Sequence, residues 1–414
     1  MKTLPRIHVR YAGAFAVVFG LSCAESARAQ APIQAGVGLG FRYYDHMSPQ
    51  TQASTYEART VTPRIRVREQ SAVNLLDVWA ERRFEFYTQD AALDTLLGTG
   101  DHTADRASLE ARHEFSALDE VKAHAAYVHS RDLLDIDQGT ITAAGDQRRW
   151  DLGTQGAWWR IEGSFGLEDR RYKEAGTADA ENIAWTARAV PLRLPSNAVF
   201  AGFSQLHIDL DQKNGLGQWT VLDKRMPHLG YRHAITPSLK GEITGGVANV
   251  YFGDGTSQKR AAFGALLERR SDAPISFRFE VGFEGDSLSL ARGTMERALG
   301  NGAVWVSGES FAEAEGGFAS YPALTQRYAA GVRDTLGRAN VLYFETSYEH
   351  ARPIHFTGQR TEAYRAGGWL QRRMQPWLDA KIGASFLRQP VHLQPGEPLY
   401  RRIRMDAELT AMLP

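Results

Sequence analysis

The sequence predicts an all-β chain closed into a transmembrane antiparallel barrel of about 18 strands, within a range of about 16–20. Three features predict it: strict two-residue alternation over long stretches, connections that alternate between short and long, and an N-terminal segment patterned like an export signal. Residues 60–87 show the first most clearly. Val61, Pro63, Ile65 and Val67 share one parity, and Thr60, Thr62, Arg64, Arg66 and Arg68 the other. After a break at Gln70-Ser71, Leu76, Val78, Ala80, Phe84 and Phe86 alternate with Asp77, Trp79, Glu81, Arg83, Glu85 and Tyr87. Period two is the side-chain period of a strand. Two long strands with an oily side and an ionic side fit a barrel wall with lipid outside and water inside.

The N-terminus reads as a signal peptide over residues 1–29. Lys2, Arg6 and Arg10 are its basic start, and Tyr11 to Ser22 is an apolar core shorter than the roughly 20 residues a bilayer span needs. Ala27-Arg28-Ala29 is a small-residue cleavage site. Lipidation of Cys23, the single cysteine, is the alternative, with Gly20 standing where a leucine is normally wanted. Basic and acidic residues number 48 each, and removing the leader leaves a slightly acidic chain, which gives no sign of a nucleic-acid partner. Mean hydropathy is −0.37 and no later apolar run is long enough for a spanning helix. Alternating strands hide their hydrophobicity in such an average.

The barrel is expected to occupy residues 30–414, with strands near 33–45, 54–69, 72–87, 105–116, 121–131, 147–158, 160–172, 183–194, 197–210, 220–234, 238–252, 259–270, 275–286, 326–335, 340–350, 359–372, 376–388 and 400–413. Short connections, expected on the periplasmic side, alternate with long external ones and hold that phase along the chain. Aromatic residues near the strand ends suggest two interfacial girdles. Tyr43-Tyr44, Phe86-Tyr87, Trp150, Tyr172 and Tyr251-Phe252 lie on the long-loop side, and Trp158-Trp159, Trp369 and Trp377 on the other. The last strand ends in Pro414, without the terminal aromatic that barrel chains commonly carry. Residues 287–325 read as one long loop with a short helix at Thr294 to Leu299 and a glycine-rich arm, or as two further strands making 20. As a loop it would fold inward as a constriction, with Arg292, Arg297, Glu309, Glu313 and Glu315 as its charged candidates.

Arginine outnumbers lysine about five to one, and much of it falls at lumen parity. The expected pore-lining set is Arg64, Arg66, Arg68, Asp77, Glu81, Arg83, Glu85, Arg278, Glu280, Glu284, Arg365, Arg402, Arg404, Asp406 and Glu408. Lipid-facing arginine would cost about 2–4 kcal/mol at mid-bilayer, so inward parity is enforced. Guanidinium groups bind carboxylates as a fork, so this lining is either a guide for anions or a structural ion-pair network. No catalytic constellation is present. His124 and His129 have opposite parity on one strand and cannot face one site. No metal or nucleotide motif is found, and no cofactor is expected.

In its leader, strand number, arginine-rich lumen and missing plug, the chain resembles outer-membrane barrels of exopolysaccharide export, of the alginate-conduit or exosortase-locus kind. The resemblance is architectural and carries no motif. It implies a non-enzymatic conduit for an exported, anionic polysaccharide in the outer membrane of a Gram-negative bacterium. Lipid and lipopolysaccharide, the barrel assembly machinery and a separate periplasmic export protein would be its partners. The alternatives are a general or anion-selective porin for small solutes, and a barrel enzyme or plugged structural barrel.

Overall fold

A computed structural model describes residues 33–48, 51–71, 73–87, 102–115, 120–130, 147–158, 160–172, 178–212, 221–236, 238–269, 274–284, 287–313, 323–337, 339–354, 361–389 and 400–413. The leader assigned to 1–29, with Cys23, lies outside them. The described strands are β1 (Ile33–Ser48), β2 (Thr51–Gln70), β3 (Asn74–Tyr87), β4 (His102–Glu114), β5 (Glu120–Ser130), β6 (Gln147–Trp158) and β7 (Ile161–Tyr172). They continue with β8 (Ala178–Arg193), β9 (Asn197–Gln212), β10 (Val221–Thr236), β11 (Leu239–Phe252), β12 (Ser257–Arg269), β13 (Ile275–Glu284) and β14 (Ser287–Leu299). The remainder are β15 (Gly302–Glu313), β16 (Ala323–Leu336), β17 (Asn340–Pro353), β18 (Thr361–Gln375), β19 (Leu378–Gln389) and β20 (Tyr400–Leu413). Each pairs antiparallel with its chain neighbours, and β1 pairs with β20, so one 20-stranded sheet closes on itself.

All 18 expected strands are present, and the expected count is two short. The long loop at 287–325 is corrected in favour of its alternative, two further strands making 20: the stretch contains the hairpin β14–β15, and Thr294 to Leu299 is strand, not helix. The hairpin escapes periodicity because its outward positions are weakly apolar. Gly293 faces Gly308 across the pair, and Arg297 falls on the outward parity beside Met295 and Leu299. Of the glycines read as a loose arm, Gly300 takes φ 57° in a tight turn and Gly302 and Gly308 lie in β15, while Gly316 and Gly317 lie outside the described residues. The β2–β3 turn is one residue longer than the sequence suggests. Its Ser71 hydroxyl accepts the Asn74 amide at 3.0 Å and closes the turn.

Alternation sorts the wall into two faces. Leu39, Leu229, Ile243 and Phe263 are each at least 60 % exposed and share the outward parity of their strands. On β1 the outward set runs from Ile33 through Val37, Leu39 and Phe41 to Tyr43. About ten residues of strand tilted by about 40° rise about 25 Å, the height of a barrel's apolar band. Toward the long-connection end the outward face turns aromatic: Tyr328, Tyr348 and Tyr364 stand in a row over β16–β18, with centroids 6.4 and 4.8 Å apart. Tyr127 and Trp150 pair at 4.3 Å on β5 and β6. Rings of this kind suit a lipid–water interface. A closed, even-numbered, antiparallel barrel with an apolar outer face is the wall of an outer-membrane protein. Two assigned girdle members are corrected by the register. Trp369 and Phe252 sit on the inward parity, Trp369 stacked on Tyr343 and Phe252 packed on an interior apolar cluster. Arg82 is an outward exception, bonded to Asp105 at 2.5 Å.

The closing seam relies on glycine. Gly36, Gly38 and Gly40 occupy the inward positions of β1. With no side chain there, Arg64 of β2 reaches across β1 to Glu408 and Thr410 of β20, at 2.5 and 2.8 Å. A Cβ on Gly38 would lie 2.5 Å from the Glu408 carboxylate. Gly38→Leu is therefore expected to lower folding stability by about 1–3 kcal/mol through overpacking and loss of that bridge. Urea titration of the refolded barrel in vesicles reads it, and an unchanged midpoint refutes this account of the seam.

Candidate functional site: the charged lumen

The inward parity carries most of the charge, with outward charges such as Asp169, Arg171, Asp223 and Arg225 toward the long connections, and every residue expected to line a pore falls on the inward parity. Around the seam, Arg64 also holds Glu81 at 2.8 Å, and Arg66 binds Asp77 through Nε at 2.8 Å while Arg68 stands 3.9 Å from the same carboxylate. The three-arginine row on β2 is thus engaged by acids one and two strands away. Glu85 receives Arg83 at 2.6 Å and Arg42 at 2.8 Å, and Arg42 continues to Asp406, which also binds Arg404 at 2.8 Å. Arg83, Glu85 and Arg402 are buried. Arg278 lies 3.3 Å from Glu280 and 3.6 Å from Glu268, and Glu284 pairs with Lys224 of β10. Arg365 lies 3.9 Å from Glu349, which Arg327 binds at 2.8 Å.

The constriction candidates separate. Arg292 and Glu309 face the lumen from the wall itself, 3.4 Å apart, and Arg327 approaches Glu309 at 3.2 Å. Arg297 is corrected to the outer face, opposite Ile275 and Val304 near the short-turn rim. Glu313 is the last residue of β15, and Glu315 lies outside the described residues. An infolded loop is therefore replaced by a wall strand. His124 and His129 do diverge: His124 approaches inward Asp151 at 3.5 Å, and His129 approaches outward Asp105 at 3.5 Å.

Two interior assemblies are not legible in the sequence. On β7–β11, Phe200 lies over Gly230, where a Cβ would collide with its ring. Arg188 sits 4.7 Å from its centroid and Arg232 5.7 Å. Buried Glu242 binds both guanidiniums at 2.9 Å, and Glu162 takes Arg232 through two 2.8 Å bonds. Parity alone puts Phe200, Arg188 and Arg232 inside. The register and the gaps at Gly202 and Gly230 bring them together. Nearer the long connections, Ala180, Ile208, Leu210, Leu222 and Val250 form a buried inward cluster. Ala312 of β15 packs against it although β12–β14 separate β15 from β11, so the β11–β15 side of the wall closes in on the lumen at that level.

The lumen is therefore zoned. Toward the long connections Glu85, Ile208, Thr325 and Glu349 are at most 2 % exposed; toward the short turns Arg68, Arg112, Lys122, Arg278 and Glu296 of β2–β5 and β13–β14 reach solvent, whereas Val190, Ala198, Phe200 and Glu242 of β8–β11 are buried. Fixed charges of both signs in such a space attract and release ions while keeping a wet surface. Among the described residues no group of three or more potential metal ligands occurs.

No family model matches the sequence, and no curated protein matches it. Among solved structures it is similar to Pseudomonas aeruginosa OpdQ, at 10 % identity and TM-score 0.38, over 92 % of this chain and 99 % of that one. It is similar to a BenF-like porin from Pseudomonas fluorescens Pf-5, at 10 % identity and TM-score 0.39, over 92 % and 99 %. The ferric enterobactin receptor PfeA of Pseudomonas aeruginosa, as its R480A mutant with enterobactin, aligns at 9 % identity and TM-score 0.42, over 94 % and 82 %. Likeness at this level adds no constraint on what passes through the barrel.

Proposed function

We propose that the protein is a passive outer-membrane channel for small charged solutes. The observation that carries this reading is a closed 20-stranded wall whose inner face holds both signs of charge, solvent-open toward the short turns on β2–β5 and β13–β14. Small solutes are favoured over an exported polymer by the narrowing near the long connections, where Ala312 packs on the inward cluster around Ile208. The polysaccharide-conduit expectation rests on architecture alone, and no observation on the lumen favours it. With Arg64, Arg66, Arg83 and Arg404 held by carboxylates, the lining supports weak selectivity between anions and cations.

Planar-bilayer recording tests the proposal. Discrete single-channel steps with a reversal potential near zero in a KCl gradient are expected. Arg66→Gln is expected to shift that potential toward cation preference by leaving Asp77 less neutralised. A barrel that passes no current at any voltage refutes the channel and favours a plugged structural barrel.

A further inference from the structure

We propose that the outer face of β16–β20 binds the phosphorylated glucosamine head of an outer-leaflet glycolipid, the lipid A part of lipopolysaccharide. This goes beyond the channel reading and rests only on the barrel wall. One cross-strand row carries it. Tyr328 is register partner of Tyr348, Tyr348 of Tyr364, Tyr364 of Arg388 and Arg388 of Arg401. All five lie on the outward parity, which on these strands also holds the exposed Leu336, Phe344, Leu370, Ile382 and Leu409. The rungs on either side differ in kind. Toward the short turns stand Ala330, Thr346, Ala366, Phe386 and Ile403, and toward the long connections Gln326, His350 and Glu362. The row is therefore the level at which the outer face passes from hydrocarbon to polar surroundings.

Two independent features point to a phosphate at this level. The first is an unrelieved pair of like charges. Arg388 and Arg401 are directly opposed on an antiparallel pair, where β-carbons stand about 5 Å apart and equal charges repel. Arg388 is exposed and has no carboxylate partner among the described residues, and Arg401 meets Asp45 of β1 through one terminal nitrogen at 3.4 Å. Glu362, diagonal to Arg388, is bonded to the Tyr348 hydroxyl. An anion between the two guanidiniums accepts from both forks, and a phosphate monoester has the charge and the oxygens to do so. The second feature is the partition of charge around the rim. On β7–β10 the outward residues toward the long connections are Asp169, Asp179, Glu181, Asp209, Asp211 and Asp223, against Arg171 and Arg225. A phosphorylated lipid is repelled on that side and attracted on this one. The tyrosines complete the fit. Their rings, with centroids 6.4 and 4.8 Å apart, form an amphipathic shelf beside the arginines for a sugar, while acyl chains run over Phe386 and Ile403 below.

Thermal unfolding of the detergent-purified barrel tests the site, with bis-phosphorylated lipid A, its dephosphorylated form, phosphatidylglycerol and inorganic phosphate as probes. Lipid A is expected to raise the unfolding midpoint at a concentration at least tenfold lower than phosphatidylglycerol or phosphate needs, and the dephosphorylated form to leave it unmoved. Arg388→Gln is expected to weaken the lipid A response at least tenfold. Without lipid the same variant should unfold no earlier than the parent chain, because it removes a repulsion; a purely structural role for Arg388 predicts the opposite. Arg388→Lys should keep part of the response, and Arg225→Gln on the acidic side should keep all of it. Heat-dependent migration on gels checks that each variant is folded. An unchanged lipid A response in folded Arg388→Gln overturns the site. Equal responses to phosphatidylglycerol or to phosphate also overturn it, leaving a lipid phosphodiester or a bare anion as the occupant. None of these outcomes bears on the channel reading, which conductance decides.

Discussion

Glu242→Ala is expected to destabilise the barrel by about 3–5 kcal/mol, the usual cost of removing one partner of a buried ion pair. Glu242 is 5 % exposed and is the joint acceptor for Arg188 and Arg232. Without it, Arg232 keeps Glu162, but Arg188 loses its 2.9 Å carboxylate partner and is left beside Phe200. The charge would remain inside a crowded wall where neither water nor a second acid replaces the lost bonds. Glu242→Gln retains shape and two polar atoms but not charge, so it should fall between. Equilibrium unfolding in urea, with the barrel in short-chain lipid vesicles, measures both. A loss below about 1 kcal/mol for Glu242→Ala would mean that water reaches Arg188 freely.

Leu39→Arg should cost about 2–4 kcal/mol, because Leu39 lies outward in the middle of the β1 apolar band and arginine there must enter hydrocarbon. Thr294→Arg should cost less than about 1 kcal/mol, since Thr294 faces the lumen opposite Arg278 and Ser307 and is exposed. The same new charge on the two faces of one wall separates lipid from water. The same urea titration reads the contrast, and equal costs for the two substitutions would contradict the assignment of faces.

Local chemistry made the strands legible. A run such as Val61 to Val67 against Arg64 to Arg68 has one way to sit between lipid and water, because a one-residue slip exposes every charge to hydrocarbon. Each expected pore-lining residue consequently lies on the inner face. The hairpin β14–β15 stood only as an alternative to a loop because that contrast fades at Gly293, Arg297, Gly308 and Ser310. Trp369 and Phe252 illustrate the same limit from another side: nearness to a strand end suggests a girdle, but parity decides the face.

By itself the sequence determined that this chain is a strand-built wall, which parity faces lipid, and that arginine and carboxylate line the inside. Those properties follow from a two-residue period and the cost of charge in hydrocarbon, both of which are local. Tertiary structure decided which charges meet. Arg64 finds Glu408 only because β1 lies between β2 and β20 and offers glycine at Gly38, and Arg232 finds Glu162 across two intervening strands. Strand register sets those encounters, and it is fixed by closure of all 20 strands at once.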